Sequence, residues 1–276
     1  MKNKIIILLV FSSFISLTNA QEATLNSLEF TSIQKLEIFA KGCNSSQIKQ
    51  LLENDTIFEI NYGGITLTPI QLAINTFITA NNNDSIWKCD ECISSISSIM
   101  KDQRYDFKVQ PNREKTDLIY AISRDKDVKK DPLAQQRFGF VMYSMLDRLD
   151  EKIYFDIDYS ISTNVNSLPE TALQSASAYG NLSLCILINR YPTLLRTIDQ
   201  RNGSDKFTPL MFASRFNNIY SAEKLLFYGA DYLENFNGYP INGIAVIGIS
   251  KMSGYTEMTK LLQDYKDGKI NLDGCK

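Results

Sequence analysis

The chain has no histidine among its 276 residues. The nitrogen base on which Ser-His-Asp and Cys-His mechanisms turn is therefore missing, as is the imidazole ligand of many zinc sites. No glycine loop for a nucleotide and no serine nucleophile elbow occurs either. The cysteines remain: Cys43, Cys89, Cys92, Cys185 and Cys275. Cys89-Asp90-Glu91-Cys92 is a CxxC, which in an exported chain reads first as a local disulfide. Thiol exchange would need a strand-to-helix context that the flanking residues do not supply, and a zinc site would need two further ligands. An odd cysteine count leaves at least one thiol without an intramolecular partner. Cys185, inside the apolar stretch Leu182 to Ile188, reads as a packed core residue. No catalytic set, metal or cofactor is expected, so the chain is read as no enzyme, with a CxxC thiol oxidoreductase as the minor alternative.

The densest polar feature is Asp147, Asp150, Glu151, Asp156 and Asp158, interleaved with Tyr154, Phe155 and Tyr159. Two readings stay open. Acidic groups beside tyrosines can dock a basic protein surface, with aromatic contact area anchoring and charge steering the encounter. Equally, the run can be a solvated helix end and a loop whose aromatics pack inward. Calcium at Asp156 and Asp158 has too few ligands. With 29 basic and 31 acidic residues the chain carries a net charge of −2, which offers no footprint for nucleic acid or an anionic membrane.

Whatever these residues do, repeated elements must position them. Thr208-Pro209-Leu210-Met211-Phe212-Ala213 is followed by Ala222-Glu223-Lys224-Leu225-Leu226 and then Gly229-Ala230-Asp231. The first motif recurs as Thr68-Pro69-Ile70-Gln71-Leu72-Ala73, Thr116-Asp117-Leu118-Ile119-Tyr120-Ala121 and Thr171-Ala172-Leu173-Gln174-Ser175-Ala176. A degenerate copy starts at Asn237-Gly238-Tyr239-Pro240, with Ala245 in the place of Ala213 and Lys260-Leu261-Leu262 closing its second helix. Phe39-Ala40-Lys41-Gly42 and Ile48 to Leu52 complete the set as a cap. This pattern resembles the ankyrin repeat, T-P-L-H-x-A, a second helix ending in Leu-Leu and a Gly-Ala-Asp turn. Each position has a physical reason: Thr caps the first helix, Pro beside it loses no intrahelical bond, Ala lets neighbouring helices approach, and Gly229 ends the second helix in the left-handed conformation.

The resemblance implies an all-α ankyrin-repeat solenoid of about six helix-turn-helix units over residues 21–276. A cap lies at about 30–60, and repeats start near 66, 114, 169, 206 and 238. The intervals Thr68 to Thr116, Thr116 to Thr171, Thr171 to Thr208 and Thr208 to Pro240 are 48, 55, 37 and 32 positions. Against a period of about 33, the first two carry roughly 15 and 22 extra residues. The first surplus is placed at Thr79 to Lys88, with Asn81 to Asp84 as a surface loop before a helix carrying Ile93, Ile96, Ile99 and Met100. The second is placed at the charged stretch Arg124 to Asp131, before a long helix carrying Phe138, Val141, Met142, Met145, Leu146 and Leu149. Such insertions are binding edges or tolerated surface.

Ankyrin partners are held by hairpin tips and the concave helix face. The resemblance therefore implies Tyr62, Phe207 and Tyr239 as partner-binding tips, and the candidate partner-binding set is completed by Trp87 and by Asp147, Asp150, Glu151, Tyr154, Asp156 and Asp158 of the acidic run. Lys2 and Lys4, an apolar run from Ile5 to about Ile15, and small residues at Thr18 and Ala20 predict a secretory signal peptide over 1–20 and a periplasmic or secreted chain. Removal of those two lysines would leave 27 basic against 31 acidic residues. The expected function is to bind and hold or inhibit one specific protein, such as a toxin or lipase. Exported ankyrin proteins of this layout are similar to immunity proteins against secreted antibacterial phospholipase-type effectors of type VI secretion. An envelope helper and a host-directed effector are the other readings.

Overall fold

In the computed structural model, residues 32–54, 67–102, 116–147, 171–201, 207–233, 235–238 and 241–275 are described. The signal-peptide expectation at 1–20, and the candidates Tyr62, Asp150, Glu151, Tyr154, Asp156, Asp158 and Tyr239, lie outside the described residues. The fold is helical. Among the described residues, twelve α-helices fall into six consecutive pairs. They are α1 (Ser32–Lys41) with α2 (Ser45–Asn54), α3 (Pro69–Asn82) with α4 (Ile86–Lys101), and α5 (Asp117–Arg124) with α6 (Pro132–Leu146). Then follow α7 (Ala172–Tyr179) with α8 (Ser183–Arg190), α9 (Pro209–Arg215) with α10 (Ile219–Phe227), and α11 (Val246–Met252) with α12 (Thr256–Lys266). One antiparallel hairpin, β1 (Asn235–Gly238) and β2 (Ile241–Ala245), precedes the last pair, with a register shift between Phe236 and Asn237. This hairpin departs from the all-α expectation.

The first helices of successive pairs pack side by side from α1 to α11, and the second helices α2, α4, α6 and α8 form a second layer behind them. One continuous apolar core runs between the layers from Leu36 to Leu262. No pair could bury its own apolar face, so each depends on its neighbours.

The recurrent threonines start the first helices. Thr68, Thr116, Thr171 and Thr208 all have extended φ/ψ, and each Oγ1 accepts the N–H of the residue three further on: Gln71, Ile119, Gln174 and Met211. Gln71 and Gln174 return the bond to the cap backbone and close capping boxes. The Thr68 hydroxyl also donates to Asp117 Oδ1 at 2.5 Å, tying the second pair to the third. In the last pair the corresponding position is Ala245, with the same extended backbone and no side-chain bond. This corrects the expected register, in which Ala245 was equated with Ala213: Ser250, fully buried, occupies that place.

Turns between paired helices repeat as well. Cys43, Asp84, Asn217 and Gly254 have φ of 49°, 56°, 54° and 73°. Each sits where a helix ends with the next N–H bonded back to a carbonyl five residues earlier: Asn44 to Phe39, Ser85 to Ala80, Asn218 to Ala213 and Tyr255 to Ser250.

The surplus residues are placed differently from expectation. Asn81 and Asn82 belong to α3, not to a surface loop. Asn81 is fully buried and donates to the Ala134 carbonyl at 2.9 Å while accepting from Arg137. The extra length of this unit includes added helix: α3 and α4 have 14 and 16 residues, against 8 and 8 in α7 and α8. The long helix expected after Asp131 is α6, with Phe138, Val141, Met142, Met145 and Leu146 buried.

The CxxC disulfide is overturned. Cys92 bonds to Cys43 and Cys185 bonds to Cys275, across 49 and 90 positions, while Cys89 is a buried free thiol. Residues three apart on a helix share a face, so the pairing is decided by what each thiol meets in the neighbouring pair. Cys92 meets the α1–α2 turn where Cys43 stands, and Cys89 lies 4.0 Å from Asn81 Oδ1. Burial pushes the Cys89 thiol above its ordinary pKa. Cys185 is buried as expected, yet as half of a cross-link. Its partner ends a strap, residues 267–275, running back over α10: Lys224 Nζ donates to the Asp273 carbonyl, the Cys275 N–H to Tyr228 Oη, and Gly274 lies where a Cβ would stand 2.6 Å from the Phe227 ring.

Candidate functional site

The unequal helix lengths create a step. Thr76 Oγ1 donates to the carbonyl of Lys41 at 2.7 Å, so the middle of α3 stands level with the last residue of α1. From there α3 continues for six more residues to Asn82, about 9 Å at 1.5 Å per residue. The overhang walls a groove of about 440 Å3. Lys41 forms one side, Leu72, Asn75, Thr76, Thr79 and Ala80 of α3 line its length, and Ser85, Trp87 and Lys88 close it at the start of α4.

Trp87, the single tryptophan of the chain, is 68% exposed on this wall. Lys88 Nζ stands 5.3 Å from its ring centroid and donates to the Gly42 carbonyl, which fixes the indole's neighbour against the α1–α2 turn. Burial draws the Lys88 pKa down, and Glu91 opposes that shift. Asn75 Oδ1 accepts the Tyr120 hydroxyl at 2.8 Å, which holds the amide in place. Thr79 returns its hydroxyl to the Asn75 carbonyl. The far side of the overhang is buttressed by the 125–131 linker: Asn82 bonds to the Asp127 carbonyl and Lys129 N–H, and Asp84 pairs with Lys129 at 2.9 Å.

Of the sequence-predicted residues that are described, Trp87 alone enters this site. Phe207 is 6% exposed, its ring edge-on to Phe212 at 5.5 Å and covered by the Arg215 guanidinium at 5.4 Å. Its carbonyl accepts from Gln174, so it is a packing residue between pairs and not an exposed anchor. Asp147 is exposed at the end of α6 and pairs with Arg190 of α8 at 3.1 Å, away from the groove residues. Lys41, Asn75 and Lys88 were missed. Their signal was indirect: the surplus of residues between Thr68 and Thr116 that makes α3 outrun α1.

A second feature missed in the charged 124–131 stretch is structural. Asp125 is 2% exposed, and its Oδ2 accepts the N–H groups of Asn181, Leu182 and Ser183 at 2.8–2.9 Å and the Ser183 hydroxyl at 2.7 Å. It caps α8 from the preceding pair. Burial pushes its pKa above the ordinary value, opposed by those four donors. Among the described residues, no group of three His, Cys, Asp or Glu is placed to hold a metal, and no helix is long and apolar enough to cross a membrane.

This arrangement defines a class: paired helices stacked around one core, cross-linked at both ends, presenting a groove with an exposed aromatic wall. No protein-family model matches the chain, and no curated protein matches it. Among solved structures, it is similar to a chain of the complex between the Bd0816 predatory endopeptidase of Bdellovibrio bacteriovorus and immunity protein Bd3460. The TM-score is 0.54 and the identity 14%, over 83% of this chain and 97% of that one. At that identity the likeness is one of fold.

Proposed function

We propose that this protein is an exported, non-enzymatic binding module that sequesters or inhibits one specific protein, in the manner of an immunity protein against a secreted effector enzyme. The observation that carries the reading is Trp87. A large aromatic held in water on a rigid scaffold is the residue type that dominates protein interfaces, and here it walls a groove 440 Å3 in volume. The fold likeness to a chain of an endopeptidase–immunity complex supports a partner-binding role by analogy. Two long-range disulfides support an oxidising compartment such as the periplasm.

The repeat identity belongs to the same proposal. Four threonine caps at equivalent positions, six helix pairs and left-handed turns between helices match what an ankyrin array requires. Gln71 and Gln174 stand where that family's pattern has histidine. Gln174 reaches the next pair through the Phe207 carbonyl at 2.9 Å, which links those two pairs at this position.

The test is affinity purification of the tagged protein, expressed with its own leader, from the cell envelope. A single stoichiometric partner is expected, with a hydrolytic activity that falls to zero on titration to equimolar protein. Recovery of several resident envelope proteins, with no activity inhibited, would replace this reading by that of an envelope helper.

A further inference from the structure

The groove beside Trp87 has a charge character opposite to that of the molecule. The chain is net acidic, yet among the described residues the lining holds two lysines and no carboxylate. The carboxylates around it stand outside the lining, though Glu91 acts on the Lys88 charge from there. Glu91 Oε2 accepts the Ser45 hydroxyl and N–H at 2.6 and 3.3 Å. Asp84 is paired with Lys129 on the far side of the overhang, and Asp90, a turn along α4 from Trp87, is exposed outside the lining. The lining is donor-rich: it includes Lys41, Lys88, whose ammonium also donates to the Gly42 carbonyl, and Asn75, whose amide oxygen is used by Tyr120. Between the donors lie the apolar faces of Leu72, Ala80 and the indole.

We propose that this groove is the docking site for an acidic loop of a protein partner, with an Asp or Glu side chain seated between Lys41 and Lys88 and an adjacent apolar side chain laid on Trp87. Two lysines with no carboxylate in the lining select an anion, since a cation there would meet like charge. The neighbouring indole sets the second requirement, an apolar residue beside the acid. This rests on the partner-binding reading above and names the chemistry of that same site.

Because Trp87 is the only tryptophan, its fluorescence reports the groove directly. The experiment titrates the full-length mature protein with three short synthetic peptides that differ at two positions flanking a leucine: Asp, Asn or Lys. The Asp peptide is expected to shift the emission saturably, at least about tenfold tighter than the Asn peptide, and to weaken steeply when salt is raised from about 0.05 M to about 0.5 M. Lys41→Glu is expected to weaken it at least about tenfold as well. That variant leaves the scaffold intact, because Thr76 uses the Lys41 backbone carbonyl and not its side chain. Lys88→Gln, checked by thermal unfolding, gives a second test should the first variant fold poorly. Equal binding of the Asp and Asn peptides, tighter binding of the Lys peptide, or no saturation at millimolar concentration overturns the proposal. With a co-purified partner in hand, retention by Lys41→Glu but not by Trp87→Ala would overturn the acidic-loop proposal and leave the partner-binding reading standing. Absence of any partner would overturn that reading, while the peptide titration would still decide the chemistry of the groove.

Discussion

Asp125 gathers three backbone N–H groups and a hydroxyl on one carboxylate oxygen, all from the start of α8. Truncation would leave those donors buried without acceptors, so Asp125→Ala is expected to lower unfolding free energy by roughly 3 kcal/mol, and Asp125→Asn by less, because an amide oxygen still accepts. Urea unfolding measures both. The pH dependence has a definite sign. Burial lifts the folded-state pKa above the ordinary 3.8, so the folded chain holds this proton more tightly than the unfolded chain does. That contribution is complete below the unfolded value and is lost as pH rises through the folded one. Relative to Asp125→Asn, the wild type should therefore lose stability with rising pH; a gain would mean that the four donors outweigh burial. Nothing in the stretch Arg124 to Asp131 marked Asp125 out beforehand, because a buried cap and a solvated acid have the same letter. Its partner helix lies 56 positions away.

At the scale of elements, helix length and cross-links do the organising. α3 and α4 bury Ile74, Phe77, Ile96 and Ile99 along one face each, which keeps the added turns helical instead of looped. Their register places Cys92 at the α1–α2 turn, where Cys43 takes the left-handed conformation. Closing a loop of 49 residues restricts the unfolded chain by about 4 kcal/mol in the chain-entropy account. A bond within the CxxC would have closed almost no loop. The double variant Cys43→Ser, Cys92→Ser is accordingly expected to lose stability on the order of 4 kcal/mol, whereas Cys89→Ala should lose only about 1 kcal/mol for a small buried side chain. Thermal unfolding compares them, and peptide mapping under non-reducing conditions checks the pairing: a Cys89–Cys92 fragment would contradict it.

For the whole molecule, stability and recognition are separable. The core runs through all six pairs, and the strap carrying Cys275 ties the end of the chain back to the fourth pair. Trp87 stands outside that core. Trp87→Ala is therefore expected to change unfolding free energy by less than about 0.5 kcal/mol while weakening partner capture by about 2 kcal/mol or more. Denaturation and calorimetry with the co-purified partner measure the two sides. A variant that unfolds early would instead make Trp87 a structural residue.

Local chemistry was enough to read the helix pairs. Threonine at a helix start, a small residue within it and glycine after Leu225-Leu226 each act over a few positions, and the structure puts Thr68, Thr116, Thr171, Thr208 and Gly229 in those roles. The long helix with Phe138, Val141 and Met145 inward was legible for the same reason, as periodicity is a local property. Disulfide pairing, the buried state of Phe207, the cap made by Asp125 and the groove at Trp87 all depend on which pair stands beside which, and how far each projects. A difference of six residues between neighbouring helices decides whether an aromatic is covered or left in water, and that difference appears only once the helices are stacked.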